Sequence, residues 1–135
     1  MTIAESTLGE WVKQVAKHVA CWAHARHKFL HAGAGATIPF EFIQNLYRIE
    51  QNLPPPDTPT HIAMRRSIRQ SQSISIITEL KTCLDSTVAT QLPKDALAIA
   101  IRYVLNSWAA FMRYTENGRL SMDNNLSERT LRLIA

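Results

Sequence analysis

Five groups that could do chemistry crowd into seven residues near the end of this chain: Asp123, Asn124, Asn125, Glu128 and Arg129. Two kinds of chemistry suit them. Asn125 with Glu128 three residues later is close to a capping box, in which each side chain satisfies a backbone N–H at a helix start. A carboxylate in the first turn also gains from the helix dipole. Alternatively, a hard divalent cation such as Mg²⁺ is held through one or two carboxylates together with the phosphate oxygens of a substrate. Local chemistry makes the cap the simpler reading. Yet the density of polar groups exceeds what a cap uses, and both readings stand at this point.

A second cluster is Cys21-Trp22-Ala23-His24, with His27 and His31 beyond it. Zinc takes cysteine and histidine in a tetrahedron, but ligands on one face of one helix cannot surround an ion. No second ligand pair follows at finger spacing. The simpler expectation is that Cys21 and Trp22 are core and the histidines line a polar face. The remaining cysteine, Cys83, makes no disulfide framework, which suits reduced thiols.

Cations form the third pattern. The chain carries a net charge of +4 and a sequence pI of about 9.4. No acidic residue falls between Trp11 and Phe40, where Lys13, Lys17, Arg26 and Lys28 lie with four of the five histidines. These lysines and Arg26 read either as a phosphate-contacting surface or as a solvated helix face. Arg65, Arg66 and Arg69 make a second group, and Arg119, Arg129 and Arg132 a third.

Helices must position these groups. Thr7 and Glu10 make a capping box, and Leu8, Trp11, Val12 and Val15 recur at helical spacing, which predicts a helix over 7–18. Residues 18–22 form a compact apolar run that reads as a short strand or as helix continuation. Composition favours helix from Ala23 to Ala32, ended by Gly33 and Gly35. A helix is expected over 39–52, with Phe40, Ile43, Leu46, Tyr47 and Glu50 on one face. The triple proline 54–56 breaks it. Residues 59–88 predict a long helix or a kinked pair. Pro93 opens the most strongly apolar helix, whose stripe runs from Leu97 to Met112 until Asn117-Gly118 stops it. A second short extended piece is expected over 119–123. At 135 residues and 46% hydrophobic, the chain suits one globular, mainly α domain. Its apolar runs are far short of the ~18 residues of a membrane span. Met1–Glu10 lacks the features of a signal peptide, so the expected location is the cytoplasm.

Four segments in register resemble the insertion sequence 66 family of bacterial transposases, of the DDE class. They are Cys21-Trp22-Ala23-His24-Ala25-Arg26-His27-Lys28-Phe29; Ile43-Gln44-Asn45-Leu46-Tyr47-Arg48-Ile49-Glu50; Leu92-Pro93-Lys94 with Ala100-Ile101-Arg102-Tyr103 and Asn106-Ser107-Trp108; and Asp123-Asn124-Asn125-Leu126-Ser127-Glu128-Arg129. The likeness spans about residues 8–133. It implies a ribonuclease-H-like catalytic domain, in which three carboxylates hold two divalent metals for phosphodiester cleavage and strand transfer. The family's last catalytic carboxylate maps onto Glu128, which makes that residue both catalytic and metal-binding. Residues 24–114 then correspond to a helical insertion, residues 118–135 to the segment carrying the glutamate, and Val19–Trp22 to the last strand of a central sheet.

The departures from the family carry information too. The family's two catalytic aspartates lie upstream of the first segment, and the ten residues before Trp11 hold no aspartate. A Gly-Arg-Lys-Asn segment expected further on is not reached, and His27 stands where the family has a second arginine. The resemblance therefore implies a C-terminal part of a catalytic domain, truncated at both ends, most of its sheet missing, and inactive alone. In the complete enzyme the cofactor is Mg²⁺ or Mn²⁺, with none expected to bind tightly here. The partners are transposon ends and target DNA, contacted through Lys13, Lys17, Arg26, Lys28, Arg119, Arg129 and Arg132, with self-association or association with a full-length transposase and no membrane. The competing reading is a non-catalytic helical DNA-binding or regulatory protein acting with such a transposase.

Overall fold

Periodic apolar positions become helices around one core. The computed structural model describes residues 21–123. Helix α1 spans Trp22–Leu30, α2 Thr37–Gln51, α3 Pro59–Ile68, α4 Ile74–Val88, α5 Ala96–Leu105 and α6 Trp108–Met112. A π turn, Arg69–Ser73, joins α3 to α4 without a break, and short 3₁₀ turns occupy Ala34–Ala36 and Arg113–Thr115. Among the described residues there is no strand, and no helix is long and apolar enough to cross a membrane.

Four helices close a ring. α1 packs on α2 and α5, α2 also packs on α4, and α4 returns to α5. Into the middle go Trp22 and Phe29 from α1, Ile43 and Leu46 from α2, Ile77, Leu80 and Leu84 from α4, and Leu97, Ile101 and Val104 from α5. Fully burying such a side chain is worth about 1.5–3 kcal/mol. Trp22 is the pin of this core. Its ring meets Phe111 edge-on at 4.8 Å and Tyr114 at 6.4 Å. Its indole N–H donates to the Phe111 carbonyl at 3.0 Å, so the one polar atom of the ring is satisfied.

α3 stands outside the ring and buries none of its residues. Thr58 caps it by accepting from the His61 N–H at 3.1 Å, with Pro59 in the first turn. Residues 59–88, expected as a long helix or a kinked pair, run helical throughout with the π turn between α3 and α4. That turn brings both Arg69 and Ser73 to the buried side.

Three expectations need correction. The long helix after Pro93 starts at Ala96 and divides at Asn106–Ser107, where Ser107 leaves helical geometry with φ −124° and ψ 30°. The division lets Trp108 and Phe111 turn back toward α1 and α5. Trp22 opens α1 and is helical, not part of a strand; Cys21 before it, at φ −108° and ψ 111°, is extended. Residues 119–123 form turns and a bend instead of an extended piece. The two stretches do meet, through a bond from the Trp22 N–H to the Met122 carbonyl at 3.4 Å. The predicted helix over 7–18 and residues 18–20 lie outside the described residues.

Candidate functional site

The functional question concerns how the chain reaches Asp123, the first residue of the acidic motif. After α6 it runs through residues 113–123 without a regular helix of its own. Such a stretch exposes many backbone carbonyls, which need donors. α3 and the π turn supply them. Arg65 donates to the carbonyls of Gly118 at 2.7 Å, Pro54 at 2.9 Å and Leu120 at 3.4 Å. Arg66 donates to Glu116 at 3.0 Å and Gln70 to Thr115 at 2.8 Å. Arg69 donates to Tyr114 at 2.7 Å and Asn117 at 3.3 Å.

Arg69 is fully buried and so requires a counter-charge. Glu50 of α2 provides it as a two-pronged pair, at 3.0 and 2.6 Å. The guanidinium also lies 4.9 Å from the centre of the Tyr114 ring. Burial, with the Arg69 charge beside it, holds Arg65 below its ordinary arginine value, while Glu50 opposes that. Burial pushes the Tyr114 phenol well above the usual range, and Glu50 adds to the effect. Gly118 fits this grip because it has no side chain. A Cβ there would sit 1.9 Å from the Ile62 carbonyl oxygen.

The far end of the stretch is held by α2 and the start of α1. The Tyr47 phenol donates to the Asp123 carboxylate. The Cys21 thiol donates to the Asp123 backbone carbonyl at 3.6 Å. Burial, reinforced by the bond to Asp123, pushes the Tyr47 phenol far above its ordinary value, so it remains a donor. The Arg26 guanidinium lies 5.0 Å from the centre of the Tyr47 ring and donates to the Gln44 side chain at 3.1 Å. Tyr47 and Glu50 are three residues apart on α2, hence on one face. That single face grips both ends of the 113–123 stretch, Glu50 through Arg69 and Tyr47 through Asp123.

The transposase IS66 family profile matches residues 2–135. The chain belongs to the IS66 transposase family. Two Sinorhizobium fredii (strain NBRC 101917 / NGR234) proteins, both described as uncharacterized, are similar to it. Protein y4qI is 32% identical over 117 residues, covering 83% of this chain and 21% of that protein. Protein y4jD is 29% identical over 123 residues, covering 85% of this chain and 23% of that protein. The chain thus spans about a fifth of the length of these relatives. No solved structure matches it.

The segments carrying the IS66 resemblance come together in space. Cys21 and Trp22 from the first, Tyr47 and Glu50 from the second, Trp108 beside the Phe111 that accepts from Trp22, and Asp123 from the fourth surround the 113–123 stretch. The expected core role of Trp22 is met, and Phe29 of the same segment is buried as well, whereas Cys21, also expected in the core, is not fully buried. Cys21 is half-buried and occupied with Asp123. His24 is exposed, and the exposed His27 and His31 rings meet edge-on at 4.4 Å at the end of α1.

Arg26 and Lys28 are both exposed but lean to opposite flanks of α1, Arg26 onto Tyr47 and Lys28 onto Tyr103, each at 5.0 Å. Arg119 is exposed on the loop. Lys13, Lys17, Asn124, Asn125, Glu128, Arg129 and Arg132 lie outside the described residues. The inward use of Arg65 and Arg69 is not anticipated by sequence reasoning. The signal that could have found it is three arginines on a helix that lacks a firm apolar stripe.

The DDE class, to which this family belongs, generally uses divalent metal. Among the described residues no three His, Cys, Asp or Glu side chains gather as a metal would require. Asp123, the described acidic residue of the motif, is engaged by a phenol. No reaction step through a metal is derived from the geometry.

Proposed function

We propose that this chain is the part of an IS66 transposase that supplies the last catalytic carboxylate, Glu128, from a helical scaffold that aims it. The observation carrying this reading is the convergence of the family's segments on the 113–123 stretch, which leads directly into Asp123-Asn124-Asn125-Leu126-Ser127-Glu128. In the complete enzyme, residues 24–114 are a helical insertion in a ribonuclease-H-like domain, and residues 118–135 carry the glutamate. Two aspartates from the rest of that domain join Glu128 in holding Mg²⁺ or Mn²⁺. Such metals stabilise the attacking and leaving oxygens during cleavage and strand transfer. The substrates are transposon ends and target DNA in the cytoplasm, with Lys13, Lys17, Arg26, Lys28, Arg119, Arg129 and Arg132 contacting phosphates.

One motif glutamate cannot fix two metals, so the 135-residue chain alone neither cleaves nor joins DNA. Members of a catalytic unit act together, and removing some costs orders of magnitude. Complementation tests this. The chain is mixed with a separately produced segment carrying the two aspartates, and Mg²⁺-dependent nicking of DNA is measured. Nicking by the mixture, abolished by Glu128→Gln, is expected. Nicking that survives Glu128→Gln overturns the role of Glu128. Nicking by the chain alone, abolished by Glu128→Gln, overturns its inactivity in isolation.

A further inference from the structure

We propose that Tyr47 is a positioning residue for the acidic segment, holding the carboxylate of Asp123 so that Asp123 works as an anchor and not as a metal ligand. The contact stands on the geometry alone. Its consequence for the reaction rests on the reading of Glu128 given above.

The residues around Asp123 use every kind of handle it offers. Tyr47 takes the carboxylate and Cys21 the carbonyl, and the Asp123 N–H donates to the Ser121 hydroxyl at 3.1 Å. One residue earlier, the Met122 side chain is buried and its carbonyl accepts from the Trp22 N–H. Behind Tyr47, the Arg26 guanidinium covers the ring. Asp123 is thus tied to α2 and to the start of α1, while the arginines of α3 and the π turn tie the chain just before it. A phenol suits this task. It donates one directed hydrogen bond and brings no second charge to the carboxylate. A carboxylate already accepting from a half-buried donor is a poorer metal ligand, because binding would strand that donor.

The anchor's position matters because Glu128 follows five residues later. A shift of the anchor displaces the start of that five-residue connection, and small misplacements of reacting groups cost large rate factors.

The test uses Tyr47→Phe, Asp123→Ala and Asp123→Asn. Asparagine keeps an oxygen acceptor for the phenol but is a poor metal ligand, so the asparagine variant separates anchoring from metal binding. The first readout needs no activity: the alkylation rate of Cys21 by iodoacetamide in the 135-residue chain carrying Cys83→Ser. Loss of this half-buried hydrogen bond should open the site and speed alkylation about tenfold in Tyr47→Phe and Asp123→Ala. Asp123→Asn should stay within about twofold of wild type. Unchanged rates in Tyr47→Phe overturn the anchor.

The second readout is nicking by the complemented enzyme. Asp123→Ala and Tyr47→Phe should lower kcat with little change in KM, and Asp123→Asn should restore it. If Asp123→Asn is as inactive as Glu128→Gln, Asp123 is a metal ligand and the proposal falls. If the alkylation pattern holds but Glu128→Gln keeps full nicking, the anchor stands and the reading of Glu128 fails.

Discussion

Replacing Arg69 with methionine should be among the most damaging single changes available in the described residues. The guanidinium is fully buried, and Glu50 opposite keeps only 15% of its side chain exposed. Methionine retains much of the volume, so the loss is chiefly electrostatic and hydrogen-bonding. Glu50 is left as a nearly buried carboxylate without a partner, and the carbonyls of Tyr114 and Asn117 lose a donor. Removing one member of a buried ion pair costs about 3–5 kcal/mol. Each stranded carbonyl adds up to about 1–3 kcal/mol, although neighbouring effects do not sum. A destabilisation of about 4 kcal/mol is expected, a large share of the 5–15 kcal/mol typical of a domain.

The double variant Arg69→Met with Glu50→Leu removes the orphaned charge and should recover about half of that loss. Urea unfolding followed by tryptophan fluorescence measures both, since Trp22 contacts Tyr114 directly. A loss below about 1 kcal/mol for Arg69→Met would mean that water reaches the pair and that the grip on residues 114–117 is weak. A double variant as unstable as the single one would show that the carbonyls, and not the charge, carry the cost.

Gly118→Ala should destabilise by more than about 2 kcal/mol in the same assay, because a Cβ 1.9 Å from the Ile62 carbonyl forces backbone to move; a neutral result would show that the loop can lift away from α3. Stability should fall at alkaline pH. Tyr47 and Tyr114 have phenols raised above the unfolded value near 10, so their contribution is complete below about pH 10 and is lost as pH rises beyond it. The buried Tyr114 dominates, with a slope approaching about 1.4 kcal/mol per pH unit, and Tyr114→Phe should flatten the profile of melting temperature against pH above 10. Neutralising Lys13, Lys17, Arg26 and Lys28 together should weaken DNA binding and lower the slope of log affinity against log salt by up to about 3.6, roughly 0.9 for each phosphate that is no longer neutralised; an unchanged slope would move the DNA surface elsewhere.

Helices with periodic apolar stripes were legible in the sequence because burial of one face repeats every three to four residues. The face of α2 bearing Ile43, Leu46, Tyr47 and Glu50 is an example, down to its polar end. Its purpose was not legible. Tyr47 meets Asp123 across 76 positions and Glu50 meets Arg69 across 19, and no local rule links such pairs. The division at Asn106–Ser107 was hidden by an apolar pattern that continues in phase on both sides. The π turn was hidden for another reason. Its residues, Arg69 to Ser73, are polar and read as solvent-facing until their buried partners are known. For the candidate site, the resemblance supplied the motif, and the structure supplied the way Asp123 is mounted.

The use of charge changes what the basic balance means. The net charge of +4 invites a polyanion reading for all three basic groups of the sequence. Yet Arg69 is neutralised by Glu50 and sealed from solvent, and Arg65 directs its donors to three backbone carbonyls. Moving either onto a phosphate would strand those carbonyls, at about 1–3 kcal/mol apiece. A phosphate contact at a wet interface does not compensate a loss of that size, since much of its energy is sensitive to salt. Arg65 and Arg69 of the second basic group are therefore internal wiring for the 113–123 stretch. Any attraction for DNA is then to be sought among the exposed cations, of which Arg26 and Arg119 are two. Substituting Arg65 should thus lower stability and leave the salt dependence of DNA binding by the folded protein unchanged, whereas substituting Arg119 should do the reverse.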